Sequence, residues 1–208
     1  MECGLCGQTA GLFYEEALKK YFRCGNCSAV FLSKAHHVSE QEEKERYEKH
    51  NNDVEDSGYR GFVAPIVDRV TECFSPSRSG LDFGAGTGPV AASMLREKGY
   101  HVELYDPFFW DMPEVLESKY DFIVCCEVIE HFRFPEKEFC LLKSMLKPGG
   151  MLFCMTDIYS ECRDFGKWYY KDDPTHVFFY HRDTFEWIKS FLSFSRVDIR
   201  GRLVEFTA

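Results

Sequence analysis

The stretch Leu81-Asp82-Phe83-Gly84-Ala85-Gly86-Thr87-Gly88-Pro89 decides the fold of this chain. Leu81 to Phe83 close an apolar run that reads as a buried strand, and three glycines at alternate positions follow. Gly84, Gly86 and Gly88 let the backbone take dihedrals closed to other residues and let a ligand come up against bare peptide. Pro89 suits the first position of a helix, where no amide hydrogen is needed. The stretch therefore reads as strand end, tight turn, helix start. Any tight strand-to-helix turn can carry such glycines. What adds meaning is Asp106, eighteen residues past Gly88, at the close of a second strand-like run beginning at Tyr100. A glycine turn followed at that distance by an acid is the arrangement that holds a ribose-bearing cofactor at the edge of an open α/β sheet.

Two further blocks come next in order. Tyr120 to His131 (YDFIVCCEVIEH) looks like a fourth strand and the helix after it, and Leu146-Lys147-Pro148-Gly149-Gly150 looks like the loop into a fifth. With these three blocks the chain, from about Tyr59 onward, resembles the class I S-adenosylmethionine-dependent methyltransferases. The turn is written D-F-G-A-G-T-G, where dinucleotide-binding folds want G-x-G-x-x-G. The resemblance implies an α/β, doubly wound Rossmann-like sheet of seven strands with an antiparallel last hairpin. It also implies S-adenosylmethionine as cofactor, held by Asp82, Gly84, Ala85, Gly86, Gly88, Asp106, Pro107, Phe108 and Glu127. A nucleotide-binding Rossmann domain of another kind is the alternative.

The bulk numbers fit one ordinary domain with a small appendage: 208 residues, 45% hydrophobic and 28% charged. The longest apolar runs are too short to cross a bilayer, and no basic-then-apolar leader precedes Cys3. The expectation is a cytoplasmic protein with no membrane partner. A net charge of -9 sets the whole chain against nucleic acid phosphates unless charge is segregated. Nucleic acid is therefore a disfavoured partner that stays open, and a small-molecule substrate is the leading one.

Ten cysteines would suggest disulfides in a secreted mini-protein, but their placement does not. Cys125, Cys126, Cys140 and Cys154 sit in core-like segments, as small hydrophobes do in a reducing compartment. Cys3-Gly4-Leu5-Cys6 and Cys24-Gly25-Asn26-Cys27 form two C-x-x-C knuckles seventeen residues apart. Two such knuckles make a closed tetrahedral zinc site, and the aromatic runs between them read as the strands of a zinc ribbon over 1–35. A thioredoxin-like redox pair is the rival and lacks its βαβ setting. Residues 1–34 carry four basic against three acidic side chains, so the basic stripe of an RNA grip is missing. The ribbon is expected to order the N-terminus or roof the substrate pocket, with an RNA contact as the other reading.

Residues 36–58 read as a helical linker and cofactor cover, and 59–208 as the methyltransferase-like domain. Ser39-x-x-Glu42 is a capping box opening a helix to His50, and the polar run 51–58 ends it. Tyr47 and His50 are candidate pocket residues. A mostly apolar helix spans 59–74 and should kink or restart at Pro65. The helix opened by Pro89 ends at Gly99. An aromatic run, Pro107 to Trp110, offers a ring to cover an adenine. A third strand is expected at 114–116, a helix over 135–146, a fifth strand over 151–156, and a helix over 184–192. A final hairpin turns at Gly201. Residues 157–180, long, aromatic and irregular, read as an active-site lid.

Methyl transfer needs a nucleophile aligned on an electrophilic carbon and, for a hydroxyl, a way to remove its proton. Glu127, Glu130 and His131 are spaced i, i+3, i+4 after the fourth strand, so all three can face one point. His176, in Asp173-Pro174-Thr175-His176, would join them from the lid. The set E-x-x-E-H plus a later histidine is similar to metal-dependent O-methyltransferases of ubiquinone biosynthesis and to small-RNA 2′-O-methyltransferases, where a metal holds two adjacent substrate oxygens. Glu127, Glu130, His131 and His176 are thus candidate catalytic residues and candidate ligands of a second divalent ion. A metal-free site with His176 or His131 as general base is the other reading. So is a metal-free site in which neither histidine acts, and a non-catalytic cofactor-binding protein is the alternative from another class.

Overall fold

The computed structural model describes residues 1–49 and 53–208, so His50 lies outside the described residues. Three short strands open the chain, β1 (Ala10–Glu16), β2 (Lys19–Cys24) and β3 (Val30–Leu32). Two helices follow, α1 (Glu40–Glu48) and α2 (Ser57–Cys73). The alternating part comes next: β4 (Ser79–Phe83), α3 (Val90–Glu97), β5 (His101–Tyr105), β6 (Tyr120–Cys126), α4 (Pro135–Met145) and β7 (Leu146–Met155). The chain ends with β8 (Phe178–Phe179), α5 (Arg182–Phe191), β9 (Arg196–Arg200) and β10 (Leu203–Thr207). No described helix is long and apolar enough to cross a membrane.

The central sheet runs β5-β4-β6-β7-β10-β9. β5, β4, β6 and β7 are parallel, while β10 lies antiparallel between β7 and β9. Strand side chains alternate between faces, and here both faces are covered. Phe122, Val124, Phe153 and Met155 join α2 and α3 in one core. Ile123, Cys125, Leu152 and Cys154 join the other core with Phe139, Leu142, Phe185 and Ile188 of α4 and α5. The chain leaves β4 for β5 on one side and returns to β6 on the other. That reversal opens a crevice at the carboxyl ends of β4 and β6, where doubly wound sheets bind ligands.

Among the described residues the sheet has six strands rather than the expected seven. Residues 114–116 lie in a 3₁₀ turn, Pro113–Glu117, tied down by the Tyr120 hydroxyl donating to the Val115 carbonyl at 2.8 Å. Only fourteen residues separate β5 from β6, and a parallel strand needs a crossover of about a dozen on each side. There is no room for one. Two smaller expectations also shift. Pro65 lies inside a single helix, on its exposed side, where solvent takes the carbonyl it leaves free. Pro89 is the cap of α3 and not its first residue. Gly99 ends α3 as expected, in the left-handed conformation, and the Ser39–Glu42 capping box of α1 is complete.

The segment 157–180 is not a free-standing lid. Tyr159, Phe165, Trp168, Tyr170 and Phe179 are buried, and Phe165 meets Phe13, Tyr14 and Tyr21 of the ribbon edge-on at 5.0–5.5 Å. β8 pairs with β3, completing a four-stranded sheet β1-β2-β3-β8. The N-terminal ribbon and the segment carrying His176 therefore share one sheet.

Candidate active site

The turn after β4 takes its shape from its glycines. Gly84 and Gly86 have φ of +80° and +61°, the left-handed region that side chains disfavour. A Cβ on Gly84 would lie 2.5 Å from a methyl carbon of Val128, so the position also needs the missing atom. The Gly84 and Ala85 amides donate to the Tyr105 carbonyl at 2.8 and 3.1 Å, joining the ends of β4 and β5. Asp106 completes the knot. One of its oxygens accepts from the Gly86 amide at 3.0 Å, and the other from the amides of Phe108 and Phe109 at 2.9 and 3.2 Å. Burial raises its carboxyl and these three amides oppose the shift. A carboxylate has about four acceptor positions, so one is left for a ligand hydroxyl. The Trp110 indole, donating to the Gly86 carbonyl at 2.8 Å, holds the turn from the far side.

A cavity of about 730 Å³ lies over this turn. All nine residues expected to hold the cofactor line it: Asp82, Gly84, Ala85, Gly86, Gly88, Asp106, Pro107, Phe108 and Glu127. Tyr47, Tyr59, His131 and His176 line it as well. Asp82 differs from its neighbours, since its carboxylate accepts from the Ala92 amide of α3 at 3.1 Å. Burial pushes that carboxyl up to about 7. Tyr47 stands edge-on to His131 at 5.3 Å and donates to Glu43 at 2.8 Å.

Beyond β6 the chain is strained. Glu127 has φ of +54° without being glycine, held there by its amide donating to the Met155 carbonyl at 2.8 Å. A ligand-atom cluster follows: one atom each from Glu130, His131 and His176, all within 4.8 Å of one another. Glu127 is not in that cluster, although the sequence groups it with the other three. Its carboxylate instead accepts from Arg202 and, at 3.1 Å, from Tyr170; its Oε1 is buried and has no partner among the described residues. Glu130 is fully buried and accepts from the hydroxyls of Thr156, at 3.0 Å, and Tyr170.

Both histidines are oriented through Nδ1. That of His131 faces the Thr175 carbonyl at 3.0 Å, and that of His176 the Tyr170 carbonyl at 2.7 Å. A carbonyl only accepts, so Nδ1 carries the proton and Nε2 keeps its lone pair, the arrangement of a metal-ligating imidazole. Burial lowers both rings, and the neighbouring His131 helps take His176 down to about 3. The carboxyls move the other way. Burial and mutual repulsion push Glu127 up to about 7, and burial does the same for Glu130.

Tyr170, Thr156 and Arg202 escape sequence reading. Tyr170 is one ring among many in 157–180, and Arg202 is a single cation after a hairpin turn. The cysteines do meet. Cys3 and Cys27 sulfurs are 3.6 Å apart, Cys6 and Cys24 3.3 Å, and all four lie within 4.8 Å of one another. Zinc–sulfur bonds in a tetrahedron set sulfurs about 3.8 Å apart, so the set fits zinc.

The domain family described as "Methyltransferase domain" matches residues 56–189. This chain belongs to the class I S-adenosylmethionine-dependent methyltransferases. The methyltransferase is also similar to ubiquinone biosynthesis O-methyltransferases of Pseudomonas savastanoi pv. phaseolicola and Pseudomonas syringae pv. syringae. Each is 33% identical over 78 residues, which is 38% of this chain and 34% of the relative. The match thus spans about a third of those relatives' length. Among solved structures, a 1,6-didemethyltoxoflavin N1-methyltransferase from Burkholderia thailandensis superposes with a TM-score of 0.56 at 12% identity, over 94% of this chain and 96% of that one. A methyltransferase from Archaeoglobus fulgidus gives 0.54 at 22% identity, over 67% and 71%. At these identities the likeness is one of fold.

Proposed function

We propose that the protein methylates a hydroxyl oxygen of a small molecule, with a divalent ion held by Glu130, His131 and His176. The observation that carries this is the cluster itself: two neutral imidazoles with Nδ1 turned away and a buried carboxylate, all on one spot beside the cofactor cavity. S-adenosylmethionine, held along Gly84 to Gly88 and by Asp106, supplies an electrophilic methyl group. A divalent ion at the cluster supplies Lewis acidity that lowers the pKa of a substrate hydroxyl. A mixed nitrogen and oxygen set suits manganese, iron or zinc.

The remaining roles belong to the chain. Glu127 Oε1, bare and buried, is the acceptor for the hydroxyl proton. Arg202 and Tyr170 fix the other Glu127 oxygen. His176 donates its Nδ1 hydrogen to the Tyr170 carbonyl and stands with Glu130 and His131, which favours the ligand role over the base role. The small-molecule reading is supported by charge. Arg133, which lines the cofactor cavity, and Arg46 and Arg202, which line a smaller pocket sharing Glu127 and His176 with it, are paired with Glu43, Asp173 and Glu127 and offer no bare cationic face to a phosphate backbone. Zinc on the four N-terminal cysteines and a reducing, cytoplasmic setting complete the proposal; none of the ten cysteines is in a disulfide.

Formation of S-adenosylhomocysteine with catechol as probe acceptor tests it. Turnover should vanish with a chelator that spares the cysteine site, return with Mn²⁺, and be lost in His176→Ala. Full turnover in the chelator, or in His176→Ala, would sink the metal reading.

A further inference from the structure

The N-terminal ribbon grips the segment that carries His176 on both sides of that residue. On the near side, Lys171 is buried and its ammonium pairs with Glu16 of β1 at 2.8 Å, while the Tyr21 hydroxyl of β2 reaches the Lys171 carbonyl at 3.4 Å. The residue before it, Tyr170, supplies the carbonyl that orients the His176 ring. On the far side, the Leu32 amide of β3 donates to the Val177 carbonyl at 2.9 Å, and β3 then pairs with β8. Val177 is shared with the cluster, because its amide donates to the Glu130 carbonyl at 2.9 Å. One hydrogen-bonded path therefore runs from β3 through Val177 to Glu130.

We infer that the cysteine ribbon is a positioning element for the active site: its metal-locked strands set where His176 stands relative to Glu130 and His131. β3 is only three residues long and begins three residues after Cys27. It pairs with β2 on one side and β8 on the other. It is fixed by the Cys24–Cys27 knuckle, where the Cys24 amide donates to the Ala29 carbonyl at 2.9 Å and the Ser28 amide to the Cys24 carbonyl at 3.1 Å. Release of the four thiolates loosens the end of β2 at Cys24 and the start of β3, and through these two strands the grips on either side of His176. The glycine turn and Asp106 are fixed by β4 and β5 instead, so cofactor binding is independent of the ribbon. The inference rests on the proposed role of His176 as a ligand, and its first test does not.

Amide exchange is measured on full-length protein saturated with S-adenosylhomocysteine, with zinc and after its removal. Exchange over 170–180 should speed up at least about tenfold on removal, as expected of a locally released unit. Peptides covering 81–106 should be unchanged, and re-added zinc should restore protection. Gain confined to 1–35 overturns the inference. Lys171→Met, which leaves the cysteines intact, covers the case in which zinc removal unfolds the chain. It should retain zinc and cofactor affinity while weakening Mn²⁺ binding at the histidine cluster, read by electron paramagnetic resonance, by about 10- to 100-fold, as loss of a supporting partner does. Leu18→Ala, at the exposed tip between β1 and β2, should change neither readout. Lys171→Met with undisturbed exchange over 170–177 also overturns the inference. Absence of Mn²⁺ binding in the unsubstituted protein defeats the metal proposal alone and leaves the exchange result to decide this one.

Discussion

Asp82 illustrates how a residue can serve the site at a cost to the fold. Its carboxyl is buried under the glycine turn with the Ala92 amide as its hydrogen-bond donor, and burial takes it up to about 7. The unfolded value is about 3.9, so the folded protein holds this proton more tightly than the unfolded chain. Stability from this group is present below about pH 4 and is lost as pH rises toward 7. Asp82→Asn keeps an oxygen for Ala92 and removes the proton. Thermal melts of cofactor-free protein should show the wild type losing more stability than Asp82→Asn between pH 5 and 8. Parallel profiles would contradict the burial argument. Much at this scale was legible in sequence, because Gly84, Asp106 and Glu130 owe their places in the turn and the cluster to local spacing. Tyr170 and Arg202 were not, since each reaches the site through the packing of a distant segment.

At the scale of elements, the strand–turn–helix unit around Gly84 is the most tightly specified part of the molecule. Gly84→Ala forces a side chain into a left-handed conformation, costing about 1–2 kcal/mol, and drives a Cβ against Val128. Overpacking of that kind adds about 1–3 kcal/mol. The melting temperature should fall by roughly 2–4 °C for each kcal/mol lost, with part of the loss recovered when Val128→Ala is added. An unchanged melting temperature in Gly84→Ala would refute the close-approach account. The expected third strand failed for a reason that was present in the sequence: β5 and β6 stand too near each other along the chain for two crossovers. Unbroken apolar runs marked β6 and β7, because both of their faces are covered. Short β8 carried no periodicity to find.

At the scale of the whole molecule, the unforeseen feature is the strand β8 that joins the ribbon's sheet. Val30 and Phe31 pair with Phe179 and Phe178 across nearly 150 residues, and no local pattern announces a pairing of that separation. Its effect is to join a cysteine knuckle, an aromatic core and the candidate metal cluster into one structure beside the cofactor crevice. The account stands on that juxtaposition of cofactor cavity and histidine cluster. Crystals grown with S-adenosylhomocysteine and Mn²⁺, measured at the manganese absorption edge, test it directly. The result predicted is an anomalous peak between Glu130, His131 and His176, with the nucleoside lying along Gly84 to Gly88. A nucleoside in place with no manganese at the histidines would contradict the central claim.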